Sequence, residues 1–403
     1  MSTIKLFYSN PYQKEFTAEV LSSTQNPDSS FDVVLDQTAF YPESGGQAHD
    51  IGNLNGIKVT YVKQIGDAIV HTIESSLDKQ MVHGVIDWER RFDHMQQHSG
   101  EHILCGAANL LFGATNIGFS LGSHSSHIDL DIEMTCGQIH SIETMANQAI
   151  YDCRPVTSHF VHESQLSHFA LRKGVAKLFS NIRLIQVSDF FCCPCGGTHV
   201  DNTGQVGLIK VINWEKKRTG TRIYFVCGKR ALLDYRQKNQ LVQNLATALS
   251  SPSDEVWLAF TRHQQKQEQL NNELGIVRSL LADHQAKQLV EAAQIINGVT
   301  VIAQVLPIRQ QTDLSELMGK ILAGQPTVAL LAGMCCELQK VFLLFASSPG
   351  LPLAMNQELK KVLPMVNGKG GGTTIQAQGG CLITDNLESV ILVAKESVID
   401  TLQ

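Results

Sequence analysis

The chain has 403 residues, 43% of them hydrophobic and 17% charged, with a formal net charge of −6 at pH 7. No apolar run is long enough to span a bilayer, which argues against an integral membrane protein. The acidic balance gives no general attraction for nucleic acid, and the N-terminus lacks the features of a signal peptide. We therefore predict a cytoplasmic protein with no membrane partner, built from about two to four domains.

The first 88 residues have the pattern of short strands separated by turns. Residues 31–36 alternate and are rich in β-branched side chains, and glycine-containing turn signals follow at 45–46, 52–53 and 55–56. This spacing is typical of a small β-barrel. We predict an N-terminal β-barrel domain over residues 1–88.

A mixed pattern follows over residues 89–238. Helical periodicity covers residues 87–111 and then 136–153, where Pro155 ends it. Alternating apolar segments typical of strands lie at residues 182–187, 206–212 and 221–227. We predict a central α+β domain.

Residues 239–296 have the composition of a helical linker. Ser251-Pro252 suits a helix start, and four apolar residues then recur at coiled-coil spacing, namely Leu270, Leu274, Val277 and Leu281. The segment is too short for its sequence to fix an oligomeric state. A helical hairpin that joins two domains is the interpretation we favour.

The last part, residues 297–403, alternates strand-like and helical segments, which predicts a C-terminal α/β domain. Its Gly-rich motif at 368–380 contains Lys369, and such turns can cradle phosphate. No Walker spacing accompanies the motif, so it is weak support for a nucleotide site. Lys361 and Lys369 are candidates for RNA contact. The predicted fold class of the whole chain is α+β.

Two short motifs carry metal-ligand spacing. His98 and His102 stand four residues apart in a predicted helix, so their side chains project from one face. Cys195 and His199 are also four apart, around a Gly-Gly-Thr turn that lets the backbone fold tightly. Three imidazoles and one thiolate are a donor set that suits Zn²⁺. We predict one zinc ion per chain at these four residues.

Seven basic residues fall within a short stretch of the central domain, where few acids interrupt them. They are Lys210, Lys216, Lys217, Arg218, Arg222, Lys229 and Arg230. A basic face of this density could follow a phosphate backbone. A solvated strand-and-turn surface explains the charges equally well.

Three motifs in order resemble one family. They are Leu35-Asp-Gln-Thr-Ala-Phe-Tyr-Pro-Glu-Ser-Gly-Gly-Gln47, Met95-Gln-Gln-His-Ser-Gly-Glu-His102 and Cys195-Gly-Gly-Thr-His-Val-Asp-Asn-Thr-Gly204. They are similar to the editing half of alanyl-tRNA synthetase, whose C-terminal domain the tail also resembles. Because the barrel begins at residue 1, without a preceding aminoacylation domain, the chain resembles the long form of the free-standing alanyl-tRNA editing proteins (AlaX type). The editing domain of threonyl-tRNA synthetase is a competing relative with a similar ligand set.

The resemblance implies a trans-editing hydrolase whose partner is mischarged tRNA(Ala). The expected reaction is zinc-dependent hydrolysis of the ester that joins serine, or glycine, to the terminal adenosine. Thr38 is the candidate partner of the serine hydroxyl, and Gln47 would orient water or substrate. Gly45 and Gly46 would let the backbone approach the substrate, and the predicted substrate-binding set is completed by Thr198 and Arg222. The helical linker and the C-terminal domain are the regions through which a homodimer is predicted to form.

Two other classes of function stay open at this point. His98-Ser-Gly-Glu101-His102 is also the pattern of a zinc metalloprotease in which the glutamate is a general base. In the editing interpretation Glu101 does not act as a base but orients one of the metal-binding histidines. The second alternative is a non-catalytic RNA-binding module stabilised by zinc. The extra thiols Cys192 and Cys193 could substitute as metal ligands or simply be packed, and we favour packing. The sequence does not decide whether zinc is catalytic or structural.

Overall fold

A computed structural model describes residues 2–77, 80–169, 171, 182–383 and 386–403. The chain divides into two compact units, Met1–Asn244 and Leu245–Gln403. Both contain helices and sheets, which confirms the mixed α+β class. None of the helices in the described part is long and apolar enough to cross a membrane.

The first unit begins with a group of short elements. They are β1 (Ile4–Lys5), α1 (Leu6–Ser9), β2 (Glu15–Gln25), β3 (Phe31–Leu35), β4 (Gln37–Thr38), β5 (Gly52–Leu54), β6 (Ile57–Ile65), β7 (Ala68–Ile73) and β8 (Met81–Ile86). Six of these strands pair in a closed barrel in the order β2-β3-β7-β6-β5-β8. Asn55 and Gly56 join β5 to β6, and both have positive φ, as a two-residue hairpin turn requires.

The rest of the first unit surrounds one long helix. Its elements are α2 (Trp88–Phe112), β9 (Asn116–Leu121), β10 (Ser126–Leu130), α3 (Cys136–Tyr151), β11 (Val156–Val161), β12 (Ile182–Val187), β13 (Phe191–Pro194), β14 (Ile209–Lys217), β15 (Gly220–Cys227) and α4 (Gly228–Ala248), with short 3₁₀ turns at Glu163–His168 and Thr203–Val206. They include a four-stranded sheet ordered β14-β15-β10-β9 and a three-stranded sheet ordered β11-β12-β13. The predicted helices at 87–111 and 136–153 are confirmed as α2 and α3.

Helix α2 is the element that positions the site. The Asp87 side chain caps its first turn by accepting a hydrogen bond from the Arg90 backbone N–H, and Gly113 ends it in the left-handed conformation. Every residue from 94 to 108 is buried. An amphipathic surface helix would bury one stripe only, so α2 runs through the middle of the unit. Polar side chains on α2 must therefore find partners inside the protein.

The second unit is built on one six-stranded sheet. Its elements are α5 (Val256–Glu291), β16 (Gln294–Ile296), β17 (Val299–Pro307), α6 (Gln311–Leu322), β18 (Thr327–Cys335), β19 (Lys340–Ser347), α7 (Met355–Val362), a 3₁₀ turn at Leu363–Val366, β20 (Lys369–Gly372), β21 (Gln376–Leu382) and α8 (Leu387–Leu402). The strand order is β16-β17-β18-β19-β21-β20, and only the β17/β18 pair is parallel. One face packs against α7 and α8 and the other against α5 and α6.

The Gly-rich motif of the tail is part of this sheet. Its residues form the antiparallel β20/β21 hairpin. A Cβ at Gly370 would lie 2.4 Å from the Gln378 carbonyl oxygen, so the two backbones are too close for a side chain there. The glycines thus permit close strand pairing.

The predicted linker region, 239–296, contains the end of α4, the whole of α5 and the short strand β16. Helix α4 ends at Ala248 and α5 begins at Val256, and the boundary between the two compact units lies at residues 244–245. The division into domains at 88, 238 and 296 stays a prediction.

Candidate metal centre

The two histidines of α2 lie side by side in the protein interior. His98 and His102 are 2% and 4% exposed, and their ring centroids are 5.2 Å apart. Residues four apart on a helix share a face, so the helix alone sets this spacing. A pair of imidazoles so deeply buried requires partners from other elements.

Those partners come from the segment that follows β13. Cys195 Sγ lies 3.4 Å from His98 Nε2 and 3.2 Å from His199 Nε2. The donor atoms of His98, His102, Cys195 and His199 all lie within 4.8 Å of one another. The structure therefore brings together all four ligands predicted from the sequence, in an arrangement that can hold a metal ion.

Gln47 sets the tautomer of His98. Its side-chain amide donates through Nε2 to Thr198 Oγ1 at 2.8 Å, and its Oε1 accepts from the Thr198 backbone N–H at 3.1 Å. The same Oε1 is 2.8 Å from His98 Nδ1. Because Oε1 can only accept, His98 Nδ1 carries the proton and donates it, which leaves Nε2 free to bind a metal.

A tight turn delivers Gln47 to this position. Ser44 and Gln47 bond each other's backbones, and the central residues Gly45 and Gly46 have φ of +55° and +81°. A Cβ at Gly46 would lie 2.8 Å from Phe119 Cε2. Only glycine suits both the conformation and the space.

Replacing Gln47 with leucine is expected to weaken metal binding about 10–100-fold. The change leaves the N–H of His98 Nδ1 and two polar groups of Thr198 without their partner. A competition titration with a chromophoric chelator measures the effect. Gln97→Leu is the matched control, because this buried glutamine bonds Asp93 and the Cys227 backbone. Equal losses of metal affinity in both variants would contradict the role of Gln47.

The Cys195–His199 segment packs tightly against α2. A Cβ at Gly197 would lie 2.1 Å from His98 Cε1, a distance that no real contact allows. His199 Nδ1 is 3.2 Å from Ser99 Oγ, which also accepts from the Val200 backbone N–H. Ser99 therefore fixes the orientation of the His199 ring through Nδ1, as Gln47 does for His98.

Arg183 on β12 fixes the same segment from the other side. Its NH1 donates to the carbonyl oxygens of Cys195 at 3.0 Å and Gly197 at 2.7 Å. Its Nε donates to Ser158 Oγ at 3.0 Å, and the guanidinium lies 5.0 Å from the Tyr8 ring centroid. No carboxylate pairs with Arg183 among the described residues. Its charge is thus directed at the turn that carries Cys195.

His98 and His199 are held in their neutral form. Burial lowers the pKa of His98 to about 3, with smaller contributions from the charges of Arg183 and His94. Burial also lowers the pKa of His199 well below its usual value, helped by the neighbouring histidines. Neutral imidazole is the form that binds metal, so the protein environment prepares these ligands.

His102 has two neighbours besides the other ligands. Cys193 Sγ is 2.8 Å from its Nδ1, and Glu101 Oε2 is 3.5 Å from its Nε2. Glu101 Oε1 also accepts hydrogen bonds from Asn116 Nδ2 at 2.6 Å and Cys105 Sγ at 3.1 Å. Glu101 is therefore anchored beside a ligand. Cys192 packs with Val161, Ile182 and Leu184, as predicted, but Cys193 both packs in the core and contacts His102.

Two family models match the chain. Residues 182–224 match "Threonyl and Alanyl tRNA synthetase second additional domain", and residues 4–90 match "tRNA synthetases class II (A)". The chain is also 30% identical over 392 residues to the alanyl-tRNA editing protein AlaX-L of Pyrococcus horikoshii, an alignment that covers 93% of this chain and 94% of that protein. The chain belongs to the alanyl-tRNA editing protein family. The family predicted from the three motifs is confirmed.

Alanine–tRNA ligases are similar to this editing-protein chain over part of their length. The ligase of Pyrococcus abyssi is 29% identical and that of Thermococcus kodakarensis 31% identical, each over 392 residues. The alignments cover 94% of this chain but only 42% and 41% of the two ligases. The chain therefore corresponds to less than half of each ligase.

Two of the site residues predicted from the editing-protein resemblance form their hydrogen bonds with residues other than the four candidate metal ligands. Thr38 on β4 is buried, and its Oγ1 bonds His71 Nε2 at 2.8 Å and accepts from the Phe40 backbone N–H at 3.1 Å. Arg222 on β15 forms a bidentate ion pair with Asp129 at 2.6 and 2.7 Å. Their roles toward substrate stay predictions, as do those of Gly45, Gly46 and Thr198.

Most of the basic residues noted in the sequence have acidic partners from other segments. Six of the seven form ion pairs, namely Lys210–Glu143, Lys216–Glu133, Lys217–Glu215, Arg222–Asp129, Lys229–Glu89 and Arg230–Asp93. The density of charge in the sequence thus overstates the net positive charge of this surface.

Sequence reasoning missed Arg183, Ser99 and the contact of Cys193 with His102. Ser99 lies inside the His-x-x-x-His motif, so its position was a usable signal. The signal for Arg183 was weaker, since an arginine within a mostly apolar strand must find acceptors inside the protein.

Proposed function

We propose that this chain is a trans-editing hydrolase that deacylates mischarged tRNA(Ala), with serine as the main substrate and glycine as a second. The observation that carries the proposal is the cluster of His98, His102, Cys195 and His199 in a chain of the alanyl-tRNA editing family. The relative from Pyrococcus horikoshii is named for alanyl-tRNA editing. We extend that activity to this chain and place its chemistry at the cluster.

We further propose that the four residues hold one Zn²⁺ per chain. Nitrogen and sulfur donors in this proportion suit zinc better than the harder divalent cations. When bound, the metal would supply a Lewis acid that polarises the ester carbonyl or lowers the pKa of a water. Gln47, Ser99 and Arg183 form hydrogen bonds with the candidate ligands His98, His199 and Cys195. These contacts support the fit, because they orient the ligands before a metal binds.

The chain's own residues would then orient the reactants. Gln47 and Thr198 form a rigid polar unit beside His98, so they can position an acyl group or a water without a cost of reorganisation. The Gly45-Gly46 turn leaves backbone close to this unit. Since an aminoacyl ester is already activated, positioning and modest charge stabilisation suffice for hydrolysis.

The surroundings of Glu101 favour this proposal over a metalloprotease. A general base must reach a water, whereas Glu101 is 2% exposed and uses Oε1 to accept from Asn116 and Cys105. The other alternative is a non-catalytic RNA-binding module. Only a measurement of charged-tRNA hydrolysis distinguishes such a module from an esterase.

The decisive experiment compares Ser-tRNA(Ala), Gly-tRNA(Ala) and Ala-tRNA(Ala) as substrates of the purified protein. Rapid release of serine with alanine spared is the expected result. Cleavage of none of the three esters would remove the proposed activity, and a peptide-cleavage screen would then test the protease alternative.

Selectivity is proposed to depend on Thr38. Alanine is smaller than serine, so a pocket cannot exclude it by size, and a hydroxyl partner is required. Burial lowers the pKa of His71 to about 4, and its Nδ1 donates to the Val33 carbonyl oxygen, so neutral His71 accepts from Thr38. For Thr38 to bind a serine hydroxyl, it would exchange one of its present hydrogen bonds.

Thr38→Val is expected to raise the hydrolysis of Ala-tRNA(Ala) relative to Ser-tRNA(Ala). Valine has nearly the same shape but offers no hydroxyl to distinguish the two amino acids. The ratio of the two kcat/KM values is the measurement. Thr38→Ser keeps the hydroxyl and is expected to keep the wild-type ratio. An unchanged ratio in Thr38→Val would show that Thr38 does not determine the selectivity between serine and alanine.

The proposal also includes a cytoplasmic location and a homodimer formed through the helical linker and C-terminal domain. The four apolar residues at coiled-coil spacing support the dimer, because Leu270, Leu274, Val277 and Leu281 are each between 44% and 59% exposed.

A further inference from the structure

Cys193 lies beside the candidate metal centre but is not one of its four ligands. Its Sγ is 2.8 Å from His102 Nδ1. The set of donor atoms that lie within 4.8 Å of one another includes Cys195 but not Cys193. Cys193 is 3% exposed, so its contact with His102 is made in the protein interior. The thiol therefore touches a candidate ligand from outside the ligand set.

The geometry of β13 and α2 explains why the thiol meets this histidine. Residues two apart on a strand point to the same side and are separated by about 6.6 Å. Residues four apart on a helix are separated by about 6 Å along the helix axis. Cys193 and Cys195 therefore have almost the same spacing as the two histidines of α2. Cys195 Sγ lies 3.4 Å from His98 Nε2. Cys193, two residues earlier, meets the histidine one turn later.

Packing alone does not determine the orientation of the His102 ring. The imidazole stacks on Phe191, with ring centroids 5.4 Å apart and an interplanar angle of 27°. A half-turn about the Cβ–Cγ bond keeps this stacking but exchanges Nδ1 with Cδ2 and Nε2 with Cε1. This torsion has two roughly equivalent ranges in histidine. Stacking thus fixes the plane of the ring, and a hydrogen-bond partner has to decide which edge faces the other ligands.

Two acceptors flank the His102 ring, one at each nitrogen. Cys193 Sγ lies 2.8 Å from Nδ1, whereas Glu101 Oε2 lies 3.5 Å from Nε2, at the outer limit of a hydrogen bond. A neutral imidazole carries one ring proton. A proton on Nε2, directed at Glu101, would prevent this nitrogen from binding a metal. A proton on Nδ1, directed at Cys193, leaves Nε2 available, and the shorter contact favours this tautomer.

We propose that Cys193 is a positioning residue of the metal centre, which holds His102 in the Nδ1–H tautomer and directs its Nε2 toward the metal. The other two imidazoles, those of His98 and His199, also have a side-chain partner at Nδ1. All three imidazoles would thus be oriented in the same way. The inference rests on the proposed function, of which it uses the zinc site but not the identity of the ester.

The zinc affinity of the full-length protein, measured by competition with a chromophoric chelator, tests the proposal. Cys193→Val fills the space of the thiol without an acceptor and is expected to weaken zinc binding about 10–100-fold. Cys193→Ala, which adds no bulk, should show a similar loss. Cys193→Ser restores an acceptor and should bind zinc more tightly than either. Cys192→Val is the matched control, because Cys192 is equally buried but packs in a different apolar cluster.

A second measurement requires neither activity nor metal. Long-range ¹H–¹⁵N spectra of protein labelled with [¹⁵N]histidine report which ring nitrogen carries the proton, and the His102→Gln variant identifies the His102 signals. In the metal-free wild-type and Cys192→Val proteins, His102 should be the Nδ1–H tautomer. In Cys193→Val it should shift toward the Nε2–H tautomer, since Glu101 offers an acceptor at that nitrogen.

Three results would overturn the positioning role. They are an Nε2–H tautomer of His102 in the wild-type protein, a zinc affinity of Cys193→Val equal to that of the wild type, and equal losses of affinity in Cys193→Val and Cys192→Val. The last result would assign the effect to packing of the core. Thermal unfolding of each variant establishes that the comparison is made between folded proteins.

Deacylation assays separate this inference from the proposed function. Zinc binding that depends on Cys193, without cleavage of any charged tRNA, would retain the positioning role and refute the deacylase. Cleavage of Ser-tRNA(Ala) by the wild-type protein, with a zinc affinity that Cys193→Val leaves unchanged, would retain the deacylase and refute the positioning role.

Discussion

Cys195→Ala is expected to abolish deacylation and to lower the zinc content of the purified protein sharply. Cys195 offers the single sulfur of the four donors and lies within 3.4 Å of two of the imidazole nitrogens. Loss of a direct ligand should exceed the effect of about 10–100-fold typical of an indirect contact. The second unit, which does not contain the centre, should remain folded.

Two measurements follow this change without relying on activity. Metal analysis after gel filtration gives the zinc content, and Co²⁺ substitution gives a sulfur-to-metal charge-transfer band that should vanish in the variant. Cys136→Ala removes an exposed thiol elsewhere in the first unit and is the control. Wild-type deacylation and an unchanged cobalt spectrum in Cys195→Ala would show that the four residues are not the metal site.

Gly197→Ala is expected to be nearly as damaging, although it adds a single methyl group. That carbon would lie 2.1 Å from His98 Cε1, 2.3 Å from His98 Nδ1 and 2.9 Å from Gln47 Oε1. His98 cannot move away easily, because α2 is buried on all sides and Gln47 holds the imidazole. The turn must therefore shift, and Cys195 and His199 would shift with it.

The neighbouring glycine offers a close control for this prediction. A Cβ at Gly196 would meet only the Tyr8 hydroxyl oxygen, at an ordinary distance of 3.5 Å. Gly196→Ala should therefore keep its metal and its activity, while Gly197→Ala should lose about 10–100-fold in metal affinity. Similar behaviour of the two variants, in chelator competition and in deacylation, would show that the close packing at Gly197 does not matter.

The sequence predicts those parts of the molecule that depend on local patterns. The extent of α2 follows from the helical period over residues 87–111, and β17, β18 and β19 coincide with strand-like segments of the tail. The four candidate metal ligands are predictable because each pair is local, four residues apart. Their meeting was inferred from donor chemistry and is confirmed by the structure.

What the sequence does not predict are contacts between distant segments. Gln47 and His98 are separated by 51 residues, and Cys193 and His102 by 91. Neither contact leaves a periodic trace in the chain. Five of the six acids that pair with the basic stretch are also distant in the chain, and Glu143, for example, lies 67 residues before its partner Lys210. Only the fold brings such groups together, so their roles had to await the structure.

The separation of the two ligand pairs has a consequence for folding. Cys195 and His98 are 97 residues apart, so neither pair forms a site until α2 and the segment after β13 have docked. Closing so large a loop carries an entropic penalty that early folding stages do not recover. Metal capture is then a late event that reports on the integrity of the whole first unit. Destabilising substitutions far from the centre, even within the barrel, should appear as weakened metal retention before any loss of secondary structure.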